Sequence, residues 1–228
     1  MGMRIPRPLK GWRVFGGEVG TILVGVLLAL GAQEVVQGLH WKSEVRQTRE
    51  ALDAEVARDF AAFNYRYDQK GCVADRLAEL RRWSQSLRAG RPMALRHSVE
   101  GPPFFKLRTA AWEVTDGEIA ARIPVAARLS YAGMYDGMHG VREMQDDESN
   151  AWATIGEYEG AERLNEADAR AVRRALKDIE DVNFSIEPFK TSIDRFAGQL
   201  GIKPEADLER NAGPMLVKLR TEFCRPLL

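Results

Sequence analysis

VGTILVGVLLALGA, residues 19–32, is an unbroken apolar run of 14 residues. Its length leaves two readings open, because a membrane span needs about 20 residues and a signal-peptide core about 7–15. Outward from this run, apolar character extends from Val14 to Leu39, interrupted by Glu18, Gln33, Glu34 and Gln37. Glu18 lies within about a turn of one end and can reach lipid headgroups by snorkelling. Gln33 and Glu34 fall near the opposite interface, and Trp12 and Trp41 bracket the stretch as interfacial aromatics do. A cleaved signal peptide would use Ala29-Leu30-Gly31 as its small-x-small site. Two features favour a retained anchor. The apolar pattern continues past that site without a break, and an acid stands just before the run, which is odd for a basic n-region.

Charge is segregated along the chain. Lys+Arg and Asp+Glu are both 33, so no basic surplus exists to attract nucleic acid. Yet Arg4, Arg7, Lys10 and Arg13 precede the span with no acid among them, and residues 34–228 hold 29 basic against 32 acidic side chains. Only Lys42 and Arg46 follow within the next stretch, so the short basic tail should stay inside and the body should be periplasmic. The expected organisation is a cytoplasmic basic tail (1–13), a transmembrane anchor (14–39) and a helical-bundle domain (40–228) with a long loop at 88–108. A stripe on the anchor, Gly17, Thr21, Gly25, Ala29 and Gln33, recurs at intervals of four, with Gly16 and Gly20 beside it. Small residues at this spacing let two helices approach closely in lipid, and a terminal Gln can hydrogen-bond across the contact. Glycine and alanine are also simply common in membrane spans.

The body reads as all-α. Trp41, Val45, Leu52, Val56, Phe60, Phe63 and Tyr67 keep helical spacing, with Glu50, Asp53, Glu55 and Arg58 on the other side. No Gly or Pro lies between Leu39 and Gly71, so the anchor helix is expected to run on as a stalk into the domain. A second helix over about 72–87 carries Val73, Leu77, Leu80 and Leu87 and stops at Gly90 and Pro92. Residues 88–108 hold two Gly and three Pro, a loop long enough to be either functional or poorly ordered. A short helix at about 109–114 is expected to close at Asp116-Gly117. A longer one follows from Pro124 towards Tyr158, weakened by Gly133, Gly137 and Gly140. Asn165 caps a last long helix over about 166–200 that Pro188 should kink and Gly201 should end. One more short helix is expected near 215–223. No alternating strand pattern and no internal repeat is present. The expected architecture is a bundle of long antiparallel helices.

Cys72 and Cys224 are the two cysteines. Two inert buried thiols are one reading; in an oxidising compartment a disulfide pinning the C-terminal tail to the first helical hairpin becomes the better one. His40 with Glu44 and His139 with Glu143 stand four apart, but two ligands are too few for zinc and read as surface pairs. Asp146, Asp147 and Glu148 lack calcium-loop spacing and read as a solvated helix face. Trp83, Trp112 and Trp152 read as core. No P-loop, G-x-S-x-G or dinucleotide fingerprint occurs, and no cofactor or metal is expected.

Gly17-Glu18-Val19 and the following VGVLLALGAQE, then a charged stalk, resemble the N-terminus of single-pass bacterial membrane proteins in which a Gly-Glu pair opens the span. The likeness covers about residues 12–60. It implies the anchor topology and no activity. The expected function is a membrane-anchored periplasmic interaction or accessory module whose partners are the lipid bilayer and another membrane helix, its own copy or a different protein. Two other classes stay open: a small-molecule-binding sensor bundle that acts through a partner, and an enzyme whose site is assembled only by folding, with the 88–108 loop as a lid over carboxylates.

Overall fold

The computed structural model describes residues 12–115 and 117–228, with the side chains of 12–15, 209 and 212 left out. The basic tail, the Trp12 ring and Asp116 of the expected Asp116-Gly117 stop therefore lie outside the described residues. By contacts the chain divides into two units, Met1–Gln47 and Thr48–Leu228. Eight helices make up the regular structure among the described residues, and none of it is strand: α1 (Trp12–Tyr67), α2 (Lys70–Arg88), α3 (Ala110–Glu113), α4 (Gly117–Arg122), α5 (Val125–Gly156), α6 (Glu166–Leu200), α7 (Leu208–Ala212) and α8 (Pro214–Phe223). The fold is all-α. Helices α4 and α7 were not expected, being too short for a periodic signal.

The second unit is a bundle of three staves. The first stave is α1 from Thr48 together with α2. Only Asp68 and Gln69 separate these helices, and Asp68 N still donates to Asn64 O at 2.9 Å and Val73 N to Gln69 O at 3.0 Å. Both lie along α6 in succession. Glu205 N, just past α6, donates to Ala57 O at 2.9 Å, Tyr67 Oη donates to Glu187, Arg81 pairs with Glu180 at 2.9 Å, and Arg88 pairs with Glu166 at 3.2 Å. Helix α2 thus prolongs the line of α1, and the first hairpin expected from sequence is not formed. The buried phase explains this, because Leu52, Val56, Phe63, Val73, Leu77, Leu80 and Leu87 keep one heptad-like rhythm through the break.

Helix α5 runs parallel to that stave, with Tyr131 bonded to Asp53 and, further on, Arg66 to Glu148. Helix α6 runs back antiparallel, with Ser130 Oγ donating to Gln199 Oε1 at 2.9 Å. The expected set of antiparallel helices is therefore corrected to two parallel staves and one returning. The glycines of α5 do not weaken it. The Phe196 ring fills the space where a Cβ on Gly133 would stand, and the Phe189 ring does the same at Gly140. At these two positions the missing Cβ lets rings of α6 pack directly on the α5 backbone. Asn165 Oδ1 accepts from Ala167 N at 2.8 Å and Asp168 N at 2.9 Å, capping α6, and Gly201 ends it at φ 72°.

The loop between α2 and α3 is strapped across the bundle. Arg96 N donates to Leu227 O at 2.9 Å, Gln69 Nε2 to Pro103 O at 2.9 Å, and Val99 N to the Glu159 carboxylate. Val99 and Leu107 are buried, and Phe105 meets Tyr65 edge-on at 5.0 Å. Gly101 sits so close to the indole of Trp152 that an added Cβ would come within 2.7 Å of its Cδ1. Trp152 is 2% exposed, packed in the core cluster with Phe223. Gly101→Ala should cost roughly 1–3 kcal/mol by overpacking. Gly198→Ala, whose Cβ meets nothing, should be neutral or mildly stabilising. Chemical denaturation of both variants checks the loop's docking; equal midpoints would contradict it.

Candidate functional site

The anchor segment stands alone in its exposure pattern. From Val19 to Leu39 every large apolar side chain is exposed, from 38% at Val19 to 70% at Leu28. A surface helix of a water-soluble protein keeps a polar face; over residues 19–32 this segment carries no charged side chain on any side. It is the one helix among the described residues long and apolar enough to cross a membrane by length and composition. Gly17, Thr21, Gly25, Ala29 and Gln33 are all exposed on α1, and added Cβ atoms at Gly17 and Gly25 would meet nothing within 4 Å. Thr21 Oγ1 donates to Gly17 O at 3.0 Å, so its hydroxyl is satisfied within the helix.

Inside the second unit, charged side chains occupy positions in the buried phase. Glu148, expected on a solvated face, is 2% exposed. Arg66 holds it with two bonds, Nε to Oε2 at 2.9 Å and Nη2 to Oε1 at 2.6 Å, and Trp152 Nε1 donates to Oε1 at 3.4 Å. That expectation is corrected: α5 turns Gln145 and Glu148 inward with Met138, Val141, Trp152 and Ile155, at steps of three and four. The signal was in the sequence as two polar residues in the apolar rhythm.

Nearer Thr48, Glu55 and Asp59 of α1 hold the end of the loop and the start of α3. Asp59 Oδ2 accepts from Arg108 N at 2.7 Å, Asp59 Oδ1 from Arg58 Nη1 at 2.7 Å, and Glu55 Oε1 from Ala111 N at 3.1 Å. Tyr135 Oη also donates to Glu55 Oε1, at 2.9 Å, and Trp112 stacks on the Tyr135 ring at 5.3 Å. Burial, and then the bond to Asp53, pushes the Tyr131 phenol up to about 12, and burial pushes Tyr135 up as well. Asp59 is fully buried, and burial pushes its carboxyl from 3.8 up to about 7, against the lowering effects of Arg108 N and Arg58. The folded state therefore holds this proton more tightly than the unfolded chain does. The stability it contributes is complete below about pH 4 and is lost as pH rises through about 7. Wild type should thus gain stability from pH 8 to pH 5.5, by up to about 1 kcal/mol per pH unit. Asp59→Asn should flatten that gain, and parallel pH profiles for the two proteins would count against it.

Just past the break in the first stave, at the start of α2, Cys72 is joined to Cys224 in a disulfide, with Cα atoms 5.0 Å apart. Cys72, Arg76 and Glu79 share one face of α2, and all three grip the tail. Arg76 Nη2 donates to Phe223 O at 2.5 Å and Arg225 O at 3.3 Å, capping the C-terminal end of α8, and its guanidinium lies 5.0 Å over the Phe223 ring. Glu79 Oε2 accepts from Leu227 N at 2.7 Å. Phe223 and Leu227 are buried in the same core cluster as Val73, Leu77 and Trp152. The covalent link therefore reaches α2, the second half of the first stave. Closing a loop of 152 residues removes roughly 5 kcal/mol of unfolded-state entropy, less any strain. Cys224→Ser should lower stability by roughly 2–5 kcal/mol and expose the peptide bonds after Gly213 to limited proteolysis. An unchanged midpoint with a protease-resistant tail would contradict the latch.

No group of three or more His, Cys, Asp or Glu suited to a metal occurs among the described residues. His40 Nδ1 lies 4.0 Å from Glu44, an exposed pair. Trp83 and Trp152 are core residues. The clefts are open grooves. One of about 520 Å³ lies between the loop and the tail, lined by Arg76, His97, Glu100, Glu222 and Arg225, and one of about 780 Å³ lies where α2 ends beside the start of α6. Ser98 also lines the first of these, next to His97 in sequence. No family model matches the chain, and no curated protein or solved structure matches it.

Proposed function

We propose that the chain is a membrane-anchored interaction or accessory module of the bacterial inner membrane, with its basic tail in the cytoplasm and its helical bundle in the periplasm. One observation carries the reading: residues 19–32 are apolar on every side and exposed. Such a surface is at home in lipid, where a helix satisfies all its own backbone groups. The Cys72–Cys224 bridge supports a periplasmic body, since disulfides persist in oxidising compartments. The four basic residues before the span support the inward tail.

The stripe Gly17, Thr21, Gly25, Ala29 and Gln33 is the proposed contact with a second membrane helix, of this chain or of a partner. Its smallness lets two backbones come close enough for dispersion contacts, which replace the hydrophobic effect as the force between helices in lipid. The second unit supports a presenting role over a catalytic one: its carboxylates Glu55, Asp59 and Glu148 are engaged in holding helices and loop together. With Gly25→Leu and Ala29→Leu introduced together, crosslinking in native membranes should lose the oligomer or the co-purifying partner, while Leu27→Ala off the stripe should not. Crosslinks that persist unchanged in the double variant would remove the stripe from the proposal.

A further inference from the structure

Six buried side-chain polar atoms in the described residues have no hydrogen-bond partner, and five of them lie at one level of the bundle: Asn64 Oδ1, Arg66 Nη1, Gln69 Oε1, Gln145 Nε2 and Asn183 Oδ1. The level is set by independent contacts. Arg66 bonds Glu148, one turn on from Gln145 in α5, and Asn183 Nδ2 donates to Lys70 O at 3.2 Å, next to Gln69. Two backbone interruptions fall there as well. The first stave breaks at Asp68 and Gln69, and α6 carries Pro188, which leaves the Phe184 carbonyl without its helical donor. All three staves therefore change character within about two turns.

The apolar core divides at the same place. One cluster of buried residues takes its α2 members from Val73 to Leu87, its α5 members from Ala151 to Ile155 and its α6 members from Ala169 to Ile179, with Phe223 and Leu227 from the tail. Leu52, Val56, Phe63, Met134, Met138 and Ile193, on the other side of the level, are buried but outside that cluster. We infer that the bundle is a two-part lever: two apolar cores joined at a polar layer, about which the far half bends relative to the half that starts at Thr48. Donors and acceptors left over in a buried layer are costly in one arrangement and give the alternative arrangement its bonds. A buried ion pair adds little net stability over an apolar replacement but restricts which arrangements are allowed, and hinges of packed helices sit at such element ends. The disulfide and the Arg76 cap fix the C-terminal end of α8 to the far half, while Tyr65 Oη, on the other side of the layer, donates to Leu216 O at 3.0 Å, so α8 spans the layer.

Native-state hydrogen exchange on the full-length chain tests this. Amides of residues 66–70 and 184–187 should exchange through an opening at least tenfold more frequent than that of Leu77–Leu80 or Phe60–Phe63. Replacing the pair together, Arg66→Met with Glu148→Leu, should slow exchange at the layer by tenfold or more and leave the flanking cores unchanged. Pro188→Ala, which restores the Phe184 carbonyl's partner, should do the same in α6 and serves if the double variant fails to fold. Layer amides as protected as the core amides in wild type, or layer exchange unmoved in whichever variant folds, would overturn the lever.

Discussion

A cylinder of apolar side chains bare on every side is the constraint from which the rest follows. Burying a large aliphatic side chain contributes roughly 1.5–3 kcal/mol. Eleven large apolar residues between Val19 and Leu39 are exposed in the isolated chain. Transferring them together from water into an apolar phase would be strongly favourable. A lipid phase, as proposed above, would take them, and there a helix satisfies all its own backbone groups. The proposed role of the stripe of small residues rests on close packing, not water, bringing helices together in lipid.

The second unit answers a different constraint, the burial of one continuous rhythm of apolar positions. That rhythm passes from Leu52 through Phe63 to Leu87, and it makes α1 and α2 one stave. The glycines of α5 receive the rings of α6, and the tail is sealed on α2 by a disulfide, an arginine cap and two buried apolar residues. Where polar residues enter the same rhythm, at Asp59, Arg66, Gln69, Gln145 and Glu148, they tie the staves together or leave a layer that is only partly satisfied.

Much of this was legible in the residues. Strong apolar periodicity located α2, α5 and α6, and the Asn165 cap and Gly201 end were readable because each rests on a local backbone requirement. What was not legible depended on the partner across the bundle. A gap of two residues after Tyr67 reads equally as a tight hairpin or as a joint, and only the hydrogen bond and ion pairs to α6 decide it. Gly133 lowers helix propensity in isolation, and nothing in sequence says that Phe196 will fill the space. Glu148 sits beside two other acids, which suggests a solvated run, although its phase with Val141 and Trp152 points inward. Asp59 and Arg66 carried the same overlooked signal. The loop at 88–108 was readable as long but not as strapped, because its ties to Leu227 and Glu159 come from distant parts of the chain.

Protease treatment of intact spheroplasts expressing the chain with a C-terminal epitope is the most direct test of the membrane account. External protease should remove the epitope and leave a short fragment that stays with the membrane pellet. An epitope protected until the cells are lysed, or a protein that partitions into the soluble fraction, would contradict it.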